Sequence, residues 1–499
     1  MNRFSGFAKL SKIWVLYVLC AIMGYAAIQA FAGNSDAKKQ PAAAVSTVSA
    51  EPQAAGDKTD AQPSAAIRAQ IEKMKTEQAP SSPFGRAISF LGLFVFIGIC
   101  YAMSDNRSKI NWRLVAWGMG LQLLFGVLVL KTGPGLWVFQ QLNSGAMALL
   151  GFGQQGTNFL FQSFVTGKVD SSLVNFTFNV LPTIIFFSSL MTLGYYLGIM
   201  QWVVNIFSVV MQKTMKCSGA ETLSTAANIF VGQTEAPLVI KPYVKDMTNS
   251  ELLAVMVGGF ANTAGGVLAA YVGMLYQYFP DIAGHLIAQS VMSAPAALVC
   301  AKIVMPETGQ PLTGGAHVKM INEKIDANFI DAAARGASEG MTLAFNVGAM
   351  LLAFIALIAM LNFMLIKLST SLGAPAISIE MLLGFIGTPI AWVMGVPAQD
   401  CWTVGKLIGV KTGINEFVAY LQMADLLKNG QQLSYRSIVI ASYALSGFAN
   451  FASIAIQIGG ISGIAPTRRH DLAKLGLKAM VVGSIATFMT ATVAGILIP

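Results

Sequence analysis

Apolar residues run along this chain in long stretches punctuated by short charged clusters. No Asp, Glu, Lys or Arg occurs within residues 87–104, 114–130, 171–212, 252–280, 282–301, 340–366, 381–399, 437–467 or 479–499. A helix needs about 20 mostly apolar residues to cross about 30 Å of hydrocarbon, so the spacing predicts a bundle of membrane-spanning helices. The interval 171–212 is too long for one span and must hold a helix plus an interfacial or embedded piece.

Composition agrees with this pattern. Of the 499 residues, 55% are hydrophobic and 11% charged, where a soluble domain carries about 25% charged residues; an ordinary soluble enzyme is excluded. The net charge of +9 is no nucleic-acid footprint, because the basic residues separate apolar spans instead of gathering on one face. Cys20, Cys100, Cys217, Cys300 and Cys401 have no paired spacing. His285, His317 and His470, without an HExxH motif, offer no zinc ligand set. No nucleophile and base constellation suggests catalysis.

Residues 1–32 read as a signal peptide or an N-terminal anchor: Arg3, Lys9 and Lys12 precede an apolar run, and Ala30-Phe31-Ala32 has the small-residue cleavage pattern. Either reading places Gly33 outside the cytoplasm. Residues 33–83 form an extracytoplasmic low-complexity linker, too poor in large apolar side chains to offset ordering entropy. From there the positive-inside rule puts three core spans in 84–198, with Arg107, Lys109 and Arg113 inside. Lys213 and Lys216, the charged segment from Lys302 to Glu339, and the cluster Arg468, Arg469, Lys474 and Lys478 are also inside. The count closes only if 217–245, and the pair 381–396 with 397–428, each enter and leave on one side. The result is an all-α polytopic membrane protein with eight core transmembrane helices, two opposed re-entrant hairpins and interfacial helices, in the cytoplasmic membrane with its C-terminus outside.

The two stretches that do not cross carry the unusual chemistry, since ionisable groups at membrane depth are costly and mark function. In the first, Gly232 and Pro237 favour an unwound tip between half-helices that presents Gln233, Thr234 and Glu235. In the second, glycines precede a short helix whose start holds Asn415 and Glu416, where the helix dipole favours a carboxylate.

Three motifs, GQTEAP at 232–237, GKxxGxKxxxNEFVAY at 405–420 and GFANFASIAIQIGG at 447–460, together resemble the concentrative nucleoside transporter family. The resemblance extends from about residue 84 to the end. It implies inverted repeats: 199–303 holds an interfacial helix, hairpin 1 (217–245) and spans at about 252–277 and 283–303. The segment 304–398 holds a cytoplasmic stretch, a scaffold span and an external interfacial helix. Residues 399–499 hold hairpin 2 (400–428) and spans at about 435–458 and 477–498. It also implies a homotrimer whose protomers move a transport domain like an elevator, with substrate at the midplane between the tips.

By motif match, Gln233, Thr234 and Glu235 face the nucleobase, Glu416, Asn450 and Ser453 hold the ribose hydroxyls, and Phe448 packs beside the substrate. The resemblance points to a sodium site at Asn228, the backbone of Val231, Asn262 and Thr263. Asn262 and Thr263 depart from the family's pattern of a small hydroxyl residue followed by an aliphatic one. The function implied is a sodium-driven symporter importing nucleosides, the alternative being a proton carried by Glu235 or Glu416. A receptor or channel on the same scaffold is the other class, although a channel needs a continuous polar lining. Gly232 followed by Gln233 resembles members that accept both purines and pyrimidines.

Overall fold

The computed structural model describes residues 83–163, 166, 169–170, 176–315, 318, 326–430 and 433–498. The signal or anchor segment expected at 1–32 and the linker up to residue 82 lie outside the described residues. Helix dominates throughout, joined by one isolated antiparallel bridge between Gln162 and Val169.

The helices Pro83–Ala102 and Trp112–Lys131 open the bundle, the second capped by Asn111, whose Oδ1 accepts from the Leu114 amide at 3.3 Å. After the 29-residue helix Gly133–Phe161 come Leu181–Tyr196 and Ile199–Met215, bent by 77° at a break containing Gly198, whose φ of +79° suits glycine. These two supply the helix and further piece that the interval 171–212 required.

The element order then repeats. Ile199–Met215 leads to Gly219–Ala227, an irregular break, and the short helices Ala236–Ile240 and Lys241–Val244. A helix split into Asn249–Ala261 and Gly265–Leu275 follows, then Ile282–Val304. In the second half, Ile379–Val393 leads to Ala398–Gly413, a break, and Glu416–Lys428. A helix split into Tyr435–Leu445 and Phe451–Ile464 follows, then Arg469–Leu497. Ile379–Val393 has 15 residues, about 22 Å at 1.5 Å per residue, and is too short to cross.

The spans expected at 252–277 and 435–458 each contain a short break that the sequence reading did not anticipate, and the first still has the length and composition of one span over Asn249–Leu275. Asn262 turns extended (φ −113°, ψ 169°), and so does Asn450 (φ −141°, ψ 167°), which caps the next helix by accepting from the Ser453 amide at 2.9 Å. Short polar side chains offer the backbone local alternatives to the helical ladder. Among the described residues six helices are long and apolar enough to cross, the split helix Asn249–Leu275 counted as one, and a seventh results if the bent pair Leu181–Tyr196 and Ile199–Met215 counts as one. The pair Tyr435–Leu445 and Phe451–Ile464 has the length of another span divided by its break.

The longest helix, Phe329–Ser371, has 43 residues. It lies against Leu181–Tyr196 where a Cβ on Gly336 would come 2.6 Å from Thr192 Oγ1, and one on Gly340 2.7 Å from Ile185 Cα. Phe345, Leu352 and Phe363 on this helix are exposed. Ile282–Val304 and Arg469–Leu497, by contrast, are mostly buried and form the centre of the bundle.

Polar contacts tie each end of the bundle together. At one end Lys478 pairs with Asp105 at 2.8 Å, and Arg468 donates to the Lys245 carbonyl at 3.2 Å and to Asn249 Oδ1 at 2.8 Å. The same end holds a buried ion pair between Lys302 and Glu221 at 2.7 Å, with Lys302 also donating to Ser250 at 2.9 Å and reaching Glu307 at 3.3 Å. Burial opposes the Glu307 charge, but Lys302 and donors from Thr248 and Gly309 hold its carboxyl below the ordinary carboxylate range. At the other end Arg436 donates to the carbonyls of Gly395 (2.8 Å) and Gly85 (3.2 Å) and to Ser89 Oγ (2.8 Å).

Candidate functional site

The two breaks between half-helices arise from local chemistry. Ser218 and Glu221 form a reciprocal capping box at the start of Gly219–Ala227. That helix ends at Asn228, and the chain unwinds through Gly232. A Cβ there would lie 2.2 Å from Glu235 Oε2, so only glycine lets the carboxylate fold over the backbone. Pro237 opens the next short helix, where its missing N–H costs no bond. In the second half, Asn415 is extended and its Oδ1 accepts from the Val418 amide at 2.9 Å, which places Glu416 at the first helical position.

Four of the seven expected substrate residues join one buried network. Glu416 Oε2 accepts from Asn450 Nδ2 at 2.8 Å, and its Oε1 accepts from the Tyr271 hydroxyl at 3.1 Å. Gln233 Nε2 donates to Ser453 Oγ at 3.2 Å, so the first break meets the second split helix. Phe448 is buried within that helix's break, where its carbonyl accepts from the Asn450 amide at 2.9 Å. Thr234 and Glu235 stand apart from this network. Thr234 donates to Glu235 Oε1 at 3.0 Å and packs on Gly460, while Glu235 is exposed.

The breaks also touch one another. The Gly265 amide donates to the Phe230 carbonyl at 3.0 Å. A Cβ on Gly447 would meet Thr487 Oγ1 at 2.6 Å and the Phe260 carbonyl at 2.8 Å. All four interruptions therefore converge inside the bundle, the irregular backbone being tolerated because protein covers it. A carboxylate with spare lone pairs and a set of amides that both donate and accept can recognise a neutral, polyhydroxylated, heterocyclic ligand.

Three residues of this region were missed by sequence reasoning. Tyr271 stacks on Tyr420 with centroids 4.2 Å apart and donates to Glu416. Gln457 donates from Nε2 to Gln233 Oε1 at 3.1 Å and to the Met256 carbonyl at 3.0 Å. Lys411 is fully buried, its ammonium 5.5 Å from the Phe488 ring centroid, without a hydrogen-bond partner and within electrostatic reach of Glu416. A charge inside the helix Ala398–Gly413 was the signal for Lys411, and Gln457 stands within the motif at 447–460; Tyr271 lies in an apolar helix and gives none.

Two of the four expected cation ligands carry oxygens free for a small hard cation. Asn228 ends a half-helix, whose C-terminus carries partial negative charge. Asn228 Oδ1 and Thr263 Oγ1 are buried without hydrogen-bond partners, as oxygens kept for an ion would be. Asn228 and Asn262 both border Gly258: Asn262 Nδ2 donates to its carbonyl at 3.3 Å, and Asn228 Nδ2 lies 3.3 Å from where its Cβ would be. Asn262 Oδ1 is already engaged by the Ser293 hydroxyl. Val231 lies in the same break, half-buried.

The chain is similar to known proteins in sequence and fold. Residues 91–164 match the family description Na+ dependent nucleoside transporter N-terminus, residues 177–278 match Nucleoside recognition, and residues 285–495 match Na+ dependent nucleoside transporter C-terminus. Solute carrier family 28 member 3 of Mus musculus is 41% identical over 423 residues, 82% of this chain and 58% of that protein; the chain thus matches less than two thirds of that relative's length. An uncharacterized transporter of Haemophilus influenzae is 42% identical over 413 residues, 82% of this chain and 97% of that protein. Among solved structures, CNTnw in an inward-facing substrate-bound state superposes with a TM-score of 0.75 at 42% identity, covering 82% of this chain and 97% of that one. A doubly substituted CNTnw in an outward-facing state gives 0.77 at 42% identity, covering 83% and 98%.

Proposed function

The chain belongs to the concentrative, Na+ dependent nucleoside transporter family, and from that premise we propose that it imports nucleosides across the cytoplasmic membrane as a sodium-driven symporter. It is a multi-pass membrane protein and not an enzyme.

The observation that carries the reading is the Glu416 carboxylate, buried at a helix start and held by Tyr271 and Asn450, with Asn450 linked through Ser453 to the Gln233 amide. Ribose hydroxyls donate to this carboxylate in charge-assisted bonds stronger than neutral ones. Asn450 and Ser453 complete the sugar site. Gln233, Thr234 and Glu235 meet the base edge, and Phe448 closes one side. The tips form the two opposed re-entrant hairpins, with substrate between them.

Sodium enters as cargo at Asn228, the Val231 backbone, Asn262 and Thr263. Its charge satisfies the free oxygens of Asn228 and Thr263 and draws the first tip toward the first split helix, so ion binding prepares Gln233 to receive the base. Alternating access is of the elevator type, with Phe329–Ser371 and Leu181–Tyr196 as scaffold. The inward- and outward-facing structures of CNTnw support such travel. The exposed apolar face of Phe329–Ser371 supports assembly as a homotrimer.

The test is accumulation of labelled uridine or adenosine in proteoliposomes against its gradient. Uptake should collapse when choline replaces sodium. Uptake sustained without sodium by an imposed proton gradient would overturn sodium coupling, and equilibration without accumulation would mean a channel.

A further inference from the structure

Gln457 donates from one nitrogen to two carbonyl oxygens, one of them fixed backbone. A backbone carbonyl can only accept, so the Gln457 atom facing Met256 must be Nε2. The same nitrogen lies 3.1 Å from Gln233, whose near atom must then be Oε1. The Gln233 amide therefore turns its own Nε2 to Ser453 at 3.2 Å. An amide's orientation is assigned from its network, and here the network leaves one choice: reversing Gln233 would set two donors against each other. Donor and acceptor polarity is thus relayed from the Met256 carbonyl to the tip of the first break.

Two further observations show that the contact is built into the fold. A Cβ on Gly259 would come 2.7 Å from Gln457 Nε2 and 2.9 Å from Gln233 Cβ, so the close approach needs glycine there. Gln457 is fully buried, and its Oε1 has no hydrogen-bond partner. An unsatisfied buried acceptor is costly, and a residue kept for packing alone would be Leu or Met.

We propose that Gln457 is a positioning residue that fixes the direction of the Gln233 amide and thereby sets how the transporter ranks nucleobases bearing an oxo group against those bearing an amino group. The proposal rests on the reading that Gln233 meets the base. With its direction fixed, Gln233 has one N–H and one lone pair left, on defined sides. Uridine and cytidine, or inosine and adenosine, share the same ribose and differ by a carbonyl in place of an amino group, with the adjacent ring nitrogen an N–H donor in the oxo base and an acceptor in the amino base. One correctly paired hydrogen bond exchanged for a mismatch in a buried site changes affinity by roughly tenfold.

The experiment measures sodium-driven uptake of these four nucleosides, with 2′-deoxyuridine as a ribose control, by wild type, Gln457→Glu and Gln457→Met in proteoliposomes. In Gln457→Glu the buried carboxyl keeps its proton for the Met256 carbonyl, and the same hydroxyl oxygen accepts where the amide nitrogen donated, so Gln233 reverses and the cytidine-to-uridine KM ratio shifts by roughly tenfold. The adenosine-to-inosine ratio should move with it, while the 2′-deoxyuridine-to-uridine ratio should change much less, the Ser453 hydroxyl only rotating to donate to the reversed amide. Gln457→Met fills the same space without hydrogen bonding and should bring the base ratios toward unity. If either variant is too slow to assay, equilibrium binding of the same nucleosides to the purified protein at saturating sodium reads the same ratios. Unchanged base ratios in both variants overturn the proposal. Loss of all nucleoside binding by a monodisperse variant with wild-type Tm also overturns it, by making Gln457 a direct substrate contact. Failure of the wild type to transport any of the four would instead defeat the transport reading itself.

Discussion

The Tyr271 hydroxyl donates to Glu416 Oε1 at 3.1 Å, joining the second half of one split helix to the first residue of a helix 145 positions later in the chain. Under the proposed function, the bond orients the carboxylate so that its remaining lone pairs can face a ribose. Glu416→Gln should lower uptake by at least about tenfold, since it removes charge-assisted bonds. Tyr271→Phe should raise the KM several-fold and leave the maximal rate closer to wild type. Wild-type uptake in a well-folded Glu416→Gln protein would remove Glu416 from the site.

Asn228 and Thr263 leave oxygens free where Asn262 does not. Asn228→Ala and Thr263→Val should each raise the sodium concentration for half-maximal uptake by about tenfold, the worth of one ligand-strength polar contact. Nucleoside KM at saturating sodium should change much less. A sodium titration of uptake decides this, and unaltered sodium dependence in both variants would move the ion elsewhere.

The buried pair of Lys302 and Glu221 tests stability independently of transport. Lys302→Met strands Glu221 among buried neighbours and should cost about 3–5 kcal/mol. Adding Glu221→Gln should recover most of that loss. Thermal unfolding in detergent measures both, and additive losses in the double variant would argue against coupling.

Cys100, Cys217, Cys300 and Cys401 are buried, which makes introduced cysteines readable once Cys20 is replaced. A cysteine at Asn106, exposed in the turn beside Arg107, should react only with cytoplasmic reagents. One at Gln155, exposed on Gly133–Phe161, should react only with external ones. The reverse labelling pattern would invert the topology.

Legibility of this chain followed the scale of each feature. Spans and tips were readable because a whole helix, or a Gly232-to-Pro237 cluster, changes the local pattern. Asn415 and Glu416 were readable as a cap and its first-turn acid. The interruptions at Asn262–Ala264 and Ser446–Asn450 were not, because a few small polar residues inside a long apolar interval barely alter its hydropathy. Tyr271 and Gln457 matter through partners more than a hundred positions away, a relationship that no local pattern encodes. Asn228 and Thr263 were nameable only through the family resemblance; their free oxygens emerged from the packing.

The 43 residues of Phe329–Ser371 extend about 65 Å at 1.5 Å per residue, about twice the hydrocarbon thickness. Even its charge-free portion, 340–366, must lie oblique to the membrane normal or bend the lipid around it. Under the proposed elevator motion, a domain travelling along such a rail would move sideways as it moves vertically, and the angle of the rail would follow the thickness of the surrounding bilayer. Acyl-chain length thus becomes a control variable: turnover in vesicles of short-chain and long-chain lipid should differ while nucleoside affinity does not.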